Sequence, residues 1–135
     1  WKSSIEYILN KPFFGWGGNT FSSIWSQENS EYYAHSHSLP LEISIQYGVI
    51  TTLLLTSIVI FILMKSFRKI FFQKANKLIK FSCDNHFDRA WFAATIVIIF
   101  SNLIDILYFD LRVSILIWIL LAGLRNIING KTFEN

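Results

Sequence analysis

One uninterrupted apolar run limits what this chain can fold into. Residues 43–64 contain no charged side chain and are bordered by Glu42 and Lys65. A helix rises about 1.5 Å per residue, so a run of this length crosses the roughly 30 Å hydrocarbon layer of a bilayer. Its many β-branched residues lower helix propensity in water, but in lipid every backbone polar group must bond internally. The run therefore predicts a transmembrane helix over 42–64.

Two further apolar runs follow, at 90–110 and 112–128, with a short polar turn between them. Only 16% of the residues are charged, against roughly a quarter in soluble proteins. The sequence therefore predicts an all-α membrane protein with three transmembrane helices, the last two forming a hairpin. The chain opens on Trp1 without a signal-peptide apolar region. We therefore expect the C-terminal fragment of a larger polytopic bundle.

Positive charge predicts the orientation. The loop 65–89 carries seven Lys or Arg residues, whereas the segment 1–41 carries two. Because cytoplasmic loops are enriched in Lys and Arg, we predict 65–89 and the tail 129–135 inside, and 1–41 as an outer, periplasmic loop segment. In part of the basic loop, apolar residues recur with the spacing of an amphipathic helix that lies on an anionic leaflet. This pattern does not suggest a nucleic-acid site. Its apolar positions are Phe67, Ile70, Phe71, Leu78 and Phe81.

The outer segment begins with a predicted short helix over 3–9, which Pro12 ends. The glycine-rich stretch 13–19 comes next. It lacks the Lys-Ser/Thr pair of a phosphate loop and the preceding strand of a dinucleotide site. Taken alone, it predicts a turn with aromatic anchors, in which glycine permits positive φ and close backbone approach.

Two histidines separated by one residue, His35 and His37, stand just before the first apolar run. An imidazole can act as a general base near neutral pH. It can also bind zinc, but a zinc site needs three or four ligands, and Glu31 and Glu42 are the candidates to complete one. A third reading is a structural pair at the interface. We predict no metal.

Three charged residues reach the same side of the membrane under this topology: Asp105, Asp110 and Arg112. Asp105 falls inside the second apolar run, where ionisable groups are expensive and usually functional. The alternative is that Asp105 or Asp110 pairs with Arg112 to hold the hairpin. Both readings stay open on sequence alone.

Several short motifs together resemble the O-antigen ligase and polymerase family. They are Pro12-Phe13-Phe14-Gly15-Trp16-Gly17-Gly18, His35-Ser36-His37-Ser38, Leu41-Glu42 and Tyr47-Gly48-Val49. A second stretch, 86–124, looks like a cyanobacterial branch labelled as bicarbonate transporters of the inorganic-carbon-accumulation type. The resemblance covers nearly the whole chain.

The resemblance implies a multi-pass protein of the bacterial inner membrane. Its members are metal-independent, cofactor-free glycosyltransferases that ligate or polymerise polyprenyl-diphosphate-linked glycan onto a glycan or lipid acceptor such as lipopolysaccharide. Membrane lipid and the remaining helices of the full-length protein would be the partners, with no nucleic acid. His37 would be the catalytic base and His35 its catalytic neighbour. Substrate binding is expected at Arg112, Asp105, Asp110, Gly15 and Gly17.

The chain also departs from the family pattern. Ser38 stands where the family often has asparagine. The family's diphosphate-binding arginines lie largely in upstream helices that this chain lacks. Two alternatives therefore accompany the glycan-transfer reading: inorganic-carbon transport, and a non-catalytic relative in which the motifs only shape the outer loop.

Overall fold

The computed structural model describes residues 1–28, 32–73 and 83–129, and these contain helices and turns but no strand. The all-α prediction is confirmed. A π-helical turn, Lys69–Gln73, follows the fourth helix, and a 3₁₀ turn, Leu107–Phe109, precedes the last. The six helices are α1 Lys2–Asn10, α2 Phe21–Glu28, α3 Leu39–Tyr47, α4 Val49–Arg68, α5 Cys83–Ile104 and α6 Leu111–Asn129.

Three helical stretches are long and apolar enough to cross a membrane: Val49–Phe72, His86–Ile104 and Leu111–Asn129. Most of their apolar side chains lie on the surface, Leu54, Phe61 and Ile104 among them. So much exposed apolar surface is unusual on a soluble monomer but suits contact with lipid tails. The protein is therefore a helical membrane protein.

The structure divides the first apolar run at Gly48. Residues 39–47 form α3, and the span-length helix α4 begins only at Val49. Gly48 has a φ of +86°, which ends one helix and redirects the chain into the next. Hydropathy did not reveal this break, because the residues on both sides are apolar. At its other end the helix continues past Lys65, whose long side chain can reach the interface from within a span.

Two compact units share the chain. The first comprises Trp1–Ser57 and Phe100–Phe109, and the second comprises Ile58–Ile99 and Asp110–Asn135. Residues of α4 and of α5 are divided between the two units. Each unit has its own packing.

In the first unit, α1 and α2 pack on α3. The predicted helix over 3–9 is confirmed as α1, which ends before Pro12. Tyr7, Phe21 and Ile45 are buried together. The Tyr7 hydroxyl donates to Glu28 Oε2 at 2.6 Å, and burial together with this bond raises the pKa of Tyr7 to about 12. The phenol therefore stays protonated and ties α1 to α2.

In the second unit, Trp91 of α5 lies against α6. Its indole N–H donates to the Leu120 carbonyl at 2.9 Å, and Gly123 leaves room for the ring. Lys69 Nζ donates to the carbonyl of Ile128, near the end of α6, at 2.9 Å. A cation at the C-terminal end of a helix satisfies a free carbonyl and complements the helix dipole.

The basic loop is described only in part. Of the predicted amphipathic face, Ile70 is buried. The ring of Phe67 lies tilted against that of Phe92 of α5, and the ring of Phe71 lies edge-on to it. These side chains thus contact protein. Leu78 and Phe81 lie outside the described residues, so the membrane-surface helix remains a prediction.

Candidate functional site

The glycine-rich turn completes the C-terminal end of α3. The last carbonyls of a helix have no partner within it, and here the turn supplies three backbone bonds around the end of α3. Consequently the turn fixes the short helix that follows the histidines. The bonds run from Trp16 N to Ile45 O at 2.7 Å, Gly17 N to Gln46 O at 3.0 Å and Val49 N to Pro12 O at 2.8 Å.

Two glycines make this approach possible. Gly15 has a φ of +68°, and a Cβ there would lie 2.5 Å from the Ile45 carbonyl oxygen. Gly48 also has positive φ, and a Cβ would collide with the Phe13 carbonyl. Since real Cβ atoms do not come so close to backbone atoms, the turn and the end of α3 fit together only with glycine at both places.

The predicted substrate-binding glycines therefore have structural partners. The Gly15 amide donates to the Lys11 carbonyl, and the Gly17 amide donates to the Gln46 carbonyl. Their proposed contact with substrate remains a prediction.

A buried carboxylate holds the loop that carries the histidines. Glu42 is only 2% exposed. Its Oε2 accepts from the backbone N–H of Ser36 at 2.9 Å, and its Oε1 accepts from Gln46 Nε2 at 2.6 Å. Buried polar atoms are tolerated when they are hydrogen-bonded in this way. Because Ser36 lies between His35 and His37, Glu42 fixes the backbone that presents both rings.

Sequence reasoning missed this anchoring role and treated Glu42 as a span boundary and a possible metal ligand. One local signal was available: Glu42 and Gln46 are four residues apart, the spacing at which helical side chains meet. The spacing does not predict that the Glu42 carboxylate turns inward toward Ser36, because this depends on the path of the loop that carries the histidines.

The backbone of His37 is left-handed, with a φ of +55°. This conformation costs a residue other than glycine roughly 1–2 kcal/mol. Such strain persists where the surroundings determine the conformation, and it concentrates at functional sites. The fixed Ser36 amide on one side and the start of α3 on the other provide those surroundings.

The loop brings His37 to Asp105, 68 residues away in sequence. His37 Nδ1 lies 3.4 Å from Asp105 Oδ1, and the side chains are 54% and 59% exposed. This separation is long for a charge-assisted hydrogen bond, but catalytic contacts often tighten only when substrate binds. A long, water-accessible ion pair adds little to the stability of the fold. The main effect of the Asp105 contact is therefore to orient the His37 ring.

Asp105 directly follows α5 and is itself held in place. Its Oδ1 accepts from the Ile106 N–H at 2.8 Å. That bond, followed by the contact with His37, lowers the pKa of the Asp105 carboxyl. The carboxylate is therefore ionised at neutral pH and can accept a hydrogen bond from Nδ1–H of His37. In that tautomer, Nε2 is the ring nitrogen that can take up a proton.

His35 completes the cluster. Its ring centroid lies 4.6 Å from that of His37 and 6.2 Å from that of Phe109. One ligand atom from each of His35, His37 and Asp105 lies within 4.8 Å of the others. The sequence placed Asp105 on the same side as the histidines, and the structure brings all three residues together. Of the metal-completing candidates, Glu42 is engaged by Ser36 and Gln46, and Glu31 lies outside the described residues.

The remaining predicted site residues, Asp110 and Arg112, bond to each other. Arg112 Nη2 lies 3.3 Å from Asp110 Oδ2, and the Arg112 backbone N–H donates to Asp110 Oδ1 at 2.9 Å. Asp110 thereby caps the first turn of α6. The pairing considered as the structural alternative is present for Asp110, while the Arg112 side chain stays 91% exposed.

The fold and site define a helical membrane protein with a histidine–carboxylate pair beside the end of a candidate span. Residues 1–56 match the family model described as O-Antigen ligase. This match confirms the resemblance to that family over the segment that holds the glycine turn, both histidines, Glu42 and Gly48. It does not extend to 86–124, so the cyanobacterial branch remains a prediction. Searches of curated proteins and of solved structures gave no significant match.

Proposed function

We propose that this chain is part of a membrane glycosyltransferase that ligates or polymerises polyprenyl-diphosphate-linked glycan. The observation that carries the proposal is the His37–Asp105 contact at 3.4 Å. Its histidine lies in the segment that matches the O-antigen ligase family. A partly exposed imidazole with one nitrogen facing a carboxylate is the arrangement of an oriented general base.

In the proposed reaction, His37 Nε2 takes the proton from an acceptor hydroxyl while that oxygen attacks the anomeric carbon of the donor sugar. The bond between this carbon and the diphosphate oxygen breaks, and the diphosphate leaves with the electron pair. Asp105 holds the ring through Nδ1 and stabilises the imidazolium that forms. No metal or cofactor takes part in this scheme.

The leaving diphosphate requires cationic stabilisation. Arg112 offers a guanidinium that is almost fully exposed, although Asp110 already holds one edge of it. We keep Arg112 as a candidate substrate-binding residue by resemblance alone, and we assign the larger share of this stabilisation to the family's upstream arginines. Asp110 then acts by positioning Arg112.

Aromatic rings border the histidines. Tyr33 stands edge-on to His37 with centroids 6.2 Å apart, and both Tyr33 and Phe109 keep exposed ring surface. Such rings offer apolar faces to the C–H side of a sugar while the histidine meets its hydroxyl. We assign them to the glycan acceptor.

The proposal places the protein in the bacterial inner membrane with 1–41 in the periplasm and 65–89 in the cytoplasm. In a background carrying Cys83→Ser, an impermeant thiol reagent added from the periplasmic side should label Gln27→Cys, which is exposed on α2. It should not label Asn76→Cys until the membrane is permeabilised. The opposite pattern would reverse the topology and remove the site from the periplasm.

Deleting the gene tests the function itself. We expect lipid-linked glycan to accumulate and the mature polysaccharide to shorten or disappear, because the transfer step that consumes the donor is lost. Profiling both pools by mass spectrometry, with the wild-type gene restored as control, measures this. Unchanged glycans with reduced bicarbonate uptake would replace the proposal with inorganic-carbon transport, and unchanged values of both would indicate a non-catalytic relative.

A further inference from the structure

His35, His37 and Asp105 have the composition of a transition-metal site. Two imidazoles and one carboxylate are the donor set found in catalytic zinc sites, which leave a fourth position open to water. All three belong to the first compact unit. Among the described residues, no other group of three His, Cys, Asp or Glu side chains is placed to hold a metal ion.

The spacing fits such an ion after small movements. Ligands at zinc distances of about 2.0–2.1 Å in a tetrahedron lie about 3.3 Å apart. His37 Nδ1 and Asp105 Oδ1 are already 3.4 Å apart. Three atoms within 4.8 Å of one another all lie within about 2.8 Å of a common point, so each must move by less than about 1 Å. Side-chain rotation of two half-exposed residues supplies that movement.

A second observation points to a missing partner. Nδ1 of His35 is buried and has no hydrogen-bond partner among the described residues. Buried polar atoms of this kind usually bond to an ion or a water when protein groups do not satisfy them. A metal bound through this nitrogen would supply the missing partner.

We infer that His35, His37 and Asp105 bind a divalent transition-metal ion of the zinc type, and that the bound ion blocks the site. The ion prevents His37 from acting as a base in two ways. It coordinates one nitrogen of the ring, and it draws Asp105 away from its role of orienting that ring. The metal is thus an inhibitor of the proposed transfer rather than its cofactor. Only the inhibition, and not the metal binding, rests on the proposed function.

Metal binding can be measured without any glycan. The purified natural protein in detergent should bind one Co²⁺ with the absorption of a tetrahedral site, and Zn²⁺ should displace it. His35→Gln, His37→Gln and Asp105→Asn should each weaken Co²⁺ binding at least about tenfold. His86→Gln is the matched control, because His86 is an exposed histidine outside the cluster, and it should bind like the wild type.

Thermal unfolding without metal distinguishes a variant that has lost a ligand from one that has lost the fold. A variant that has lost only a ligand unfolds at the wild-type temperature. Equal Co²⁺ binding by all folded variants, or none by the wild type, would overturn the site. In membranes, added Zn²⁺ should suppress glycan transfer and a chelator should restore it. Transfer that persists while the site is saturated would overturn the inhibition, and failure of transfer in untreated membranes would instead count against the proposed function alone.

Discussion

Replacing His37 with alanine should lower glycan transfer by about a hundredfold or more, the usual scale for removing a general base. The reason is that the acceptor hydroxyl must lose its proton as it attacks. His37 offers an exposed imidazole that contacts a carboxylate, that of Asp105. Transfer of labelled lipid-linked glycan in membranes from deletion cells, each expressing one variant, measures the effect.

The neighbouring residues should follow a graded order. Asp105→Asn should reduce transfer less than His37→Ala, because the base remains and only its orientation and charge partner are lost. His35→Ala should also reduce transfer less than His37→Ala, because His35 acts on the acceptor hydroxyl only through His37. His86→Ala should transfer like the wild type. Chelators should leave the wild-type rate undiminished.

Protein quantity must be measured alongside the rate. His37 is a polar, half-exposed residue with a strained backbone, so alanine should not prevent insertion or accumulation. An immunoblot of the membrane fraction checks this. Near wild-type transfer by a normally accumulated His37→Ala protein would remove His37 from the chemistry and, with it, the observation on which the proposed function rests.

Replacing Gly48 with alanine should prevent the first unit from folding correctly. The added Cβ collides with the Phe13 carbonyl, and the residue must also keep a φ of +86°. With a ψ of 165°, Gly48 lies in a backbone region that essentially only glycine adopts, and another residue there costs on the order of 1–3 kcal/mol. Relief of the collision breaks the bond from Val49 N to Pro12 O, worth about 1 kcal/mol. A loss of roughly 2–4 kcal/mol follows from these two costs, a large part of a typical folding free energy.

Gly18 provides the matched control within the same turn. A Cβ at Gly18 meets nothing closer than the Tyr47 hydroxyl at 3.5 Å, and its φ is not positive. Gly18→Ala should therefore unfold in detergent at nearly the wild-type temperature, whereas Gly48→Ala should unfold well below it or fail to accumulate. Gly17→Ala belongs between them, because its φ is +105° but the space around it is open. Equal unfolding temperatures for Gly48→Ala and Gly18→Ala would show that the turn does not dock on α3.

The sequence determined the parts of this protein that depend on local composition. Three long apolar runs predicted three helices able to cross a membrane, because hydropathy and helical rise are properties of contiguous residues. The glycine turn and the His-x-His motif likewise marked the segment that matches the O-antigen ligase family. Pro12 correctly predicted the end of α1, since proline restricts the residue before it.

Only the tertiary structure decided how these pieces meet. Gly48 divides an apolar run that hydropathy treats as continuous, because the break depends on φ and on the docked turn. Glu42 is buried under the histidine loop, although a glutamate at the edge of a span is expected to be solvated. The sequence could place Asp105 on the same side of the membrane as the histidines, but not within reach of His37. A contact across 68 residues depends on the path of every helix and loop between them, which no local pattern encodes.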